Sequence, residues 1–212
     1  MNKKIIVIGG GGHASVLVDI LHRLELPVFS FISPSPPANK IIFNGILHWL
    51  SDDILTSLPP DEYILVNGIG SMPGSVLREK VANAGRKLGY EFMNIISPDA
   101  YVSSFATLSE GVQIMGRAIV QPGCVIGQDV IVNSGAIIEH DCTVGDYSHI
   151  SPGAVVCGNA HIGERVHVGA NASVIQGVSV ARGSVIGAGA IVTKNLDSAA
   201  IVYPARPFNR SI

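Results

Sequence analysis

From Val102 to Val192 every sixth residue of this chain is aliphatic without a gap. The series runs Val102, Leu108, Ile114, Val120, Ile126, Val132, Ile138, Val144, Ile150, Val156, Ile162, Val168, Val174, Val180, Ile186 and Val192. An ordinary run of alternating strands does not hold one phase for so long. Six is the period of hexapeptide β-helix repeats. The implied structure is a triangular coil of three short strands, about 18 residues per turn, with the branched side chains stacked inward. The residue two before each aliphatic position is nearly always small, as at Ala106, Cys124, Ala136, Cys142 and Ala154, and turns in at a corner. Glycine often follows, as at Gly127, Gly145, Gly163, Gly169 and Gly187, where it is expected to supply turn dihedrals. No single coil buries its own face, so the stack needs covered ends.

The residues before the solenoid read differently. Lys3 to Ile8 is a short apolar strand ended by four glycines. A helix is expected over His13 to Glu25, with Val16, Leu17, Ile20, Leu21 and Leu24 at helical spacing, and a strand over Pro27 to Ile32. Strand, glycine turn, helix and strand in that order begin a doubly wound α/β unit. A surface loop follows at Ser33 to Asn39. A strand-like piece and a short helix (Trp49 to Leu55) are expected within Ile41 to Ser57, then a strand at Glu62 to Asn67. A helix over Met72 to Leu88, with Val76, Leu77, Val81 and Ala84 on one face, leads to a last strand at Glu91 to Ile96. The fold class is therefore an α/β Rossmann-like domain (1–97), an all-β parallel β-helix (98–196) and a capping tail (197–212). In the tail, Arg206 and Arg210 are either phosphate ligands or solvated charges.

Gly9, Gly11 and Ala14 fit G-x-G-x-x-A, but strand two ends Ile32-Ser33-Pro34-Ser35-Pro36-Pro37 with no carboxylate to grip a ribose, which disfavours a nicotinamide cofactor. What survives is a helix N-terminus whose N–H groups attract phosphate. The net charge of −2, without a basic run, speaks against nucleic acid or an anionic membrane surface as partner. No apolar span reaches the roughly 20 residues that cross a bilayer, so a cytoplasmic protein is expected. Cys124 and Cys142 should stack one coil apart as small apolar filler, since their spacing lacks a zinc pattern.

Polar side chains concentrate in one solenoid segment, Glu139-His140-Asp141-Cys142 followed by Gly145-Asp146-Tyr147-Ser148-His149. Because Ile138 points inward, His140 falls at a corner and projects outward. Either Asp141 or Glu139 is placed to fix its tautomer and stabilise its protonated form. His149 lies half a turn further round, so on one solenoid the two histidines occupy different parts of the perimeter. His161 and His167 have the same general setting without the acids.

The chain resembles the bacterial sugar-nucleotide acetyltransferases of the left-handed β-helix superfamily. It looks closest to those that N-acetylate the 4-amino group of a nucleotide-linked 4-amino-4,6-dideoxy sugar, the bacillosamine and perosamine types, and also resembles sialic acid O-acetyltransferase-like proteins. IIVIGGGGHA, LVNGIGS, IIEHDCTVGDYSHISPGAVVCGNAHIG and KNLDSAAIVYPARP carry the resemblance. It implies acetyl-CoA as co-substrate, no metal, and a homotrimer with sites between subunits. It implies His140 as general base, oriented by Asp141, with His149 near the acetyl group and the Gly158 N–H as donor to the thioester carbonyl. Gly9, Gly11, Gly12 and His13 would contact the nucleotide sugar, with Asn67, Gly68 and Ser71 lining the same pocket. Two departures stand out: Ser33-Pro34 where relatives often have Asp-Asp, and Val202-Tyr203 where they tend to have glycine. The rival readings are sugar O-acetylation with the same base and a non-catalytic nucleotide-sugar-binding scaffold, which thiol release from acetyl-CoA separates. A γ-class carbonic anhydrase needs three zinc histidines, which these spacings do not reproduce.

Overall fold

The structure, a computed structural model, describes residues 3–37 and 40–205. Arg206 and Arg210 lie outside the described residues. The N-terminal part is built from β1 (Lys4–Ile8), α1 (Gly12–Arg23), β2 (Val28–Ile32), β3 (Leu47–Trp49), β4 (Tyr63–Asn67) and α2 (Leu77–Lys87). Its four strands form a parallel sheet in the order β3-β2-β1-β4. Alternation along β1 divides the core: Ile5 and Val7 pack with Leu17 and Leu21 of α1, while Ile6 and Ile8 pack with Ala82 of α2 and Phe92. A parallel sheet covered on both faces needs such apolar strands.

Three expectations for this part are corrected. The piece expected as helix over Trp49 to Leu55 is the end of β3 followed by a 3-10 turn, Asp52–Thr56, whose start Ser51 caps through its hydroxyl. The helix expected over Met72 to Leu88 begins only at Leu77, because Pro73-Gly74 breaks the pattern and Gly74 has a positive φ (76°). Its buried face is Arg78, Ala82 and Gly85, whereas Val76 and Leu77 are about half exposed. The strand expected over Glu91 to Ile96 is split: Phe92 bridges Leu65 of the α/β sheet, while Ile95–Ile96 pairs with Gln113–Ile114 of the solenoid.

From there the chain forms a left-handed parallel β-helix of two-residue strands in three sheets of seven, six and five strands. Each strand pairs with those one coil away; Ile137, for example, sits between Ile119 and Val155, and 155 − 137 = 18 residues. The inward series from Ile114 to Val192 is buried, with the small corner residues Ala118, Cys124, Ala136, Cys142, Ala154, Ala160 and Ala172 beside it. Cys124 and Cys142 are among these, both free thiols. The glycines after the inward residues act differently from expectation. Gly127, Gly145, Gly163, Gly169 and Gly187 lack positive φ; the left-handed positions fall elsewhere, at Asp129, Asp141 and Gly153 among others. They serve close approach instead: a β-carbon on Gly145 would stand 2.6 Å from the Glu164 amide nitrogen of the next coil.

The α/β part docks on the seven-stranded face, whose outward residues Ile95, Gln113, Ile131 and His149 are thereby buried. Arg78, which is 4% exposed, donates from Nε to the Asp129 carbonyl. Arg86 Nη1 comes within 2.7 Å of Asp129 Oδ2 without hydrogen-bond alignment. Arg165 makes a two-pronged ion pair with Glu79 at 2.6 and 2.7 Å. At the far end Ile201–Val202 adds a last rung on Val185–Ile186, so the beginning of the tail caps the stack.

Candidate active site

The candidate site residues fall into two groups on the chain. The first is a corner between the six- and five-stranded faces. Ile138 is inward, so the chain turns at His140 and Asp141, and Asp141 takes the left-handed conformation (φ 61°), which aspartate tolerates better than most residues. His140 Nδ1 lies 2.9 Å from Asp141 Oδ2; Glu139 makes no such contact, so of the two acids Asp141 is the partner. A carboxylate only accepts, so Nδ1 carries the proton and Nε2 presents a lone pair. The hydrogen bond to Asp141, followed by the charges of Asp141 and Glu139, raises the His140 pKa above its ordinary value. One coil on stands Gly158, where a β-carbon would lie 2.6 Å from His140 Nε2, so only glycine leaves that nitrogen room. Among the described residues the Gly158 N–H makes no backbone hydrogen bond.

The second group is a cradle at the C-terminal edge of the α/β sheet. Gly9 (φ 115°) and Gly68 cross so closely that a β-carbon on Gly68 would meet the Ile8 carbonyl at 2.7 Å and Ala14 Cβ at 2.8 Å. Gly11 and Gly12, by contrast, face open space. Gly11 is the N-cap of α1 without a side-chain cap, and the first turn holds no acid, so its N–H groups are available to an anion. His13 Nε2 lies 2.7 Å from Gln113 Oε1, and Asn67 Oδ1 accepts from the Ile69 amide. The departure at Ser33-Pro34 is closed on itself: the Ser33 hydroxyl donates to the Ser35 carbonyl, and His48 Nε2 donates to the Ser33 carbonyl.

His149 belongs with this cradle and not with His140. It is 8% exposed, beneath the α/β part, with its ring edge-on to His167 at 5.1 Å. Asn133 Oδ1 accepts from the Ser134 amide, so Asn133 Nδ2 donates to His149 Nε2 at 3.0 Å. Burial, then His167 and His13, lower the His149 pKa to about 3. His161 and His167 also part company: His161 is exposed beside the Thr143 hydroxyl, while burial lowers the pKa of His167. Ser71 and His167 line a cavity of about 190 Å³ between the 71–76 loop and the solenoid. A larger cleft of about 710 Å³, lined by Val18, His22, Leu26 and Ile46, lies at the other end of α1 and holds none of these residues. Sequence reasoning missed Gln113, Asn133 and Arg78, which are polar residues in a face whose covering no periodicity reveals. Among the described residues no group of three or more His, Cys, Asp or Glu is placed to hold a metal, and no helix is long and apolar enough to cross a membrane.

A solenoid corner with an acid-held histidine, joined to a glycine cradle, defines the hexapeptide acyltransferase class, and comparisons with known proteins narrow it. Residues 123–158 match bacterial transferase hexapeptide (six repeats), 159–194 match the hexapeptide repeat of succinyl-transferase, and 4–84 match the PglD N-terminal domain. The acetyltransferase domain of PglB from Neisseria gonorrhoeae, solved with acetyl coenzyme A, is 31% identical over 98% of this chain and 100% of its own, with a TM-score of 0.86. Perosamine N-acetyltransferase from Caulobacter crescentus, solved as a histidine-to-asparagine variant with CoA and GDP-perosamine, is 28% identical over 95% of this chain and 92% of its own (TM-score 0.82). WeeI from Acinetobacter baumannii, at 20% identity, 94% coverage of each chain and a TM-score of 0.60, shares the fold. No curated protein sequence matches the chain. The chain belongs to the hexapeptide-repeat sugar N-acetyltransferases of the PglB and perosamine type.

Proposed function

We propose that this protein transfers the acetyl group of acetyl-CoA to the 4-amino group of a nucleotide-linked 4-amino-4,6-dideoxy sugar, for bacterial surface glycan synthesis. The observation that carries the reading is the corner geometry, with His140 Nδ1 held by Asp141 and Nε2 free beside Gly158. A protonated amine is no nucleophile, so the neutral amine must be bound or generated. It attacks the thioester carbonyl, and His140 Nε2 takes the proton the nitrogen loses. The Gly158 N–H donates to the oxyanion of the tetrahedral intermediate. Collapse expels the CoA thiolate, which takes the proton back from the imidazolium. Transfer is direct in a ternary complex, since Cys124 and Cys142 are buried and Cys157, beside Gly158, has no evident base to activate it as an acyl carrier.

Gly11, Gly12 and His13, with Ser71, hold the nucleotide sugar, while the Gly9–Gly68 crossing and the buried Asn67 shape the cradle beneath them, and His149 lies beside the acetyl group. His140 and this cradle occupy different parts of one protomer, so the reading requires a homotrimer in which the corner of one copy meets the cradle of the next. The six-stranded face beside His140 supports this: its outward residues include Tyr101, Ile119, Ile137, Val155 and Ile191, with Tyr101 55% and Ile191 64% exposed. The reaction belongs in the cytoplasm, where acetyl-CoA is made and where three free thiols are stable.

The test is thiol release from acetyl-CoA with UDP-, GDP- and dTDP-linked 4-amino-4,6-dideoxy sugars, and with sialic acid as comparison acceptor. Release with one amino sugar is expected, reduced about 100-fold or more in His140→Ala. Unchanged turnover in that variant would sink the general-base assignment. Release with sialic acid alone would establish O-acetylation instead.

A further inference from the structure

Gln113 was not legible as a site residue, yet it is fully buried between the solenoid and the cradle. Its amide nitrogen donates to the Asn67 carbonyl at 2.8 Å, an oxygen that also receives Arg78 Nη1 at 2.9 Å. Arg78 Nη1 further holds the Ile69 carbonyl at 2.8 Å, and Asn67 Nδ2 donates back to the Arg78 carbonyl at 3.0 Å. This fixes which way round the Gln113 amide lies, because the flipped amide would set two acceptors against each other. Gln113 Oε1 therefore faces His13 Nε2 at 2.7 Å. A carbonyl accepts and cannot donate, so His13 Nε2 carries a proton.

We infer that Gln113 is a positioning residue that locks His13 as the Nε2–H tautomer, so that His13 Nδ1 is a bare hydrogen-bond acceptor in the cradle. The ligand group it selects is a donor on the sugar, a hydroxyl or ammonium, and not a phosphate oxygen. Gly70 leaves room beside the root of the ring, since a β-carbon built there would stand 3.5 Å from His13 Cβ and 3.9 Å from Cγ. A phosphate oxygen, having no proton to give, is repelled by a second lone pair; it falls instead to the uncapped N–H groups of α1. The ring stays neutral, since burial, and then the Arg78 guanidinium, lower its pKa to about 4. The charged or titratable groups that bear on it are Arg78 from α2 and His149 from the solenoid, and both oppose a second positive charge. The ligand assignment rests on the proposed nucleotide-sugar reading; the tautomer does not.

The experiment is a long-range nitrogen–proton NMR correlation on the histidine-labelled full chain, without substrate, followed by the Gln113→Leu variant. In the unsubstituted protein His13 is expected as the neutral Nε2–H form throughout the range pH 6 to 8. Leucine takes away the oxygen that Nε2–H donates to, so in Gln113→Leu the Nε2–H form should give way to a mixture of the two neutral tautomers. The variant should also raise KM for the nucleotide sugar more than KM for acetyl-CoA. An Nδ1–H tautomer in the unsubstituted protein, or titration of His13 near 6.5, would overturn the inference. So would an undiminished Nε2–H form in the variant. If no amino sugar is a substrate, the NMR arm still decides the tautomer while the function proposal alone fails.

Discussion

Asp141 combines two demands in one residue. It holds His140 Nδ1 and it accepts a left-handed backbone that β-branched or bulky residues would resist. Asparagine tolerates that backbone too, which makes Asp141→Asn a test of charge with little change of fold. The acid raises the His140 pKa, and a general base works only when neutral. The acidic limb of kcat/KM should therefore lie above the ordinary histidine value of about 6.5 and move to lower pH in Asp141→Asn. Turnover on the alkaline plateau should fall roughly 10-fold or more, as the weaker base loses its fixed tautomer. A pH–rate profile of both proteins reads this directly, and an unmoved limb would remove Asp141 from the role. The acid-flanked corner at His140 was legible in the sequence from the hexapeptide phase, whereas Gly158 entered only through the family resemblance and the choice of Asp141 over Glu139 needed the structure. Gln113 and Asn133 were not, because an outward position in a solenoid looks the same whether water or another domain lies against it.

The elements were legible wherever one period governed them. β1, β2, β4 and α1 follow their apolar patterns to within a residue or two. The phase of α2 did not, because its buried face includes Arg78, whose charge is accommodated by the carbonyls of Asn67, Ile69 and Asp129. The solenoid glycines were seen as a pattern but assigned the wrong physics. They are sites of backbone contact, not of unusual dihedrals. Gly145→Ala should thus push coils apart and destabilise the fold by about 1–3 kcal/mol, measurable as a lowered midpoint of thermal unfolding. A variant as stable as the parent would show that the coils can yield at that point.

For the whole molecule, the order of an α/β part and a β-helix follows from the change of period, whereas the choice of docking face does not. The covered face presents Ile95 and Ile131 outward, and the open one presents Ile119 and Ile137, so composition alone does not distinguish them. Docking is decided by matching partners: Gln113 to His13 and Asn67, Asp129 to Arg78, and Arg165 to Glu79. The remaining apolar face is the surface proposed to join copies. Ile137→Asp should sediment as a monomer and lose turnover although His140 is untouched. An active monomer would refute the shared site.

The 18-residue spacing between stacked rungs has a consequence for how such a chain can change length. A screw keeps its thread only if it is extended by whole turns. Between His140 and Gly158 there is one turn and no slack, so a single inserted residue would rotate every later side chain away from its seat and part the histidine from its amide. A complete extra coil added beyond Val174, by contrast, would lengthen the rod and leave that pair untouched. The proposed catalytic corner is thus held at a fixed height on the thread, and length can vary only in quanta on either side of it.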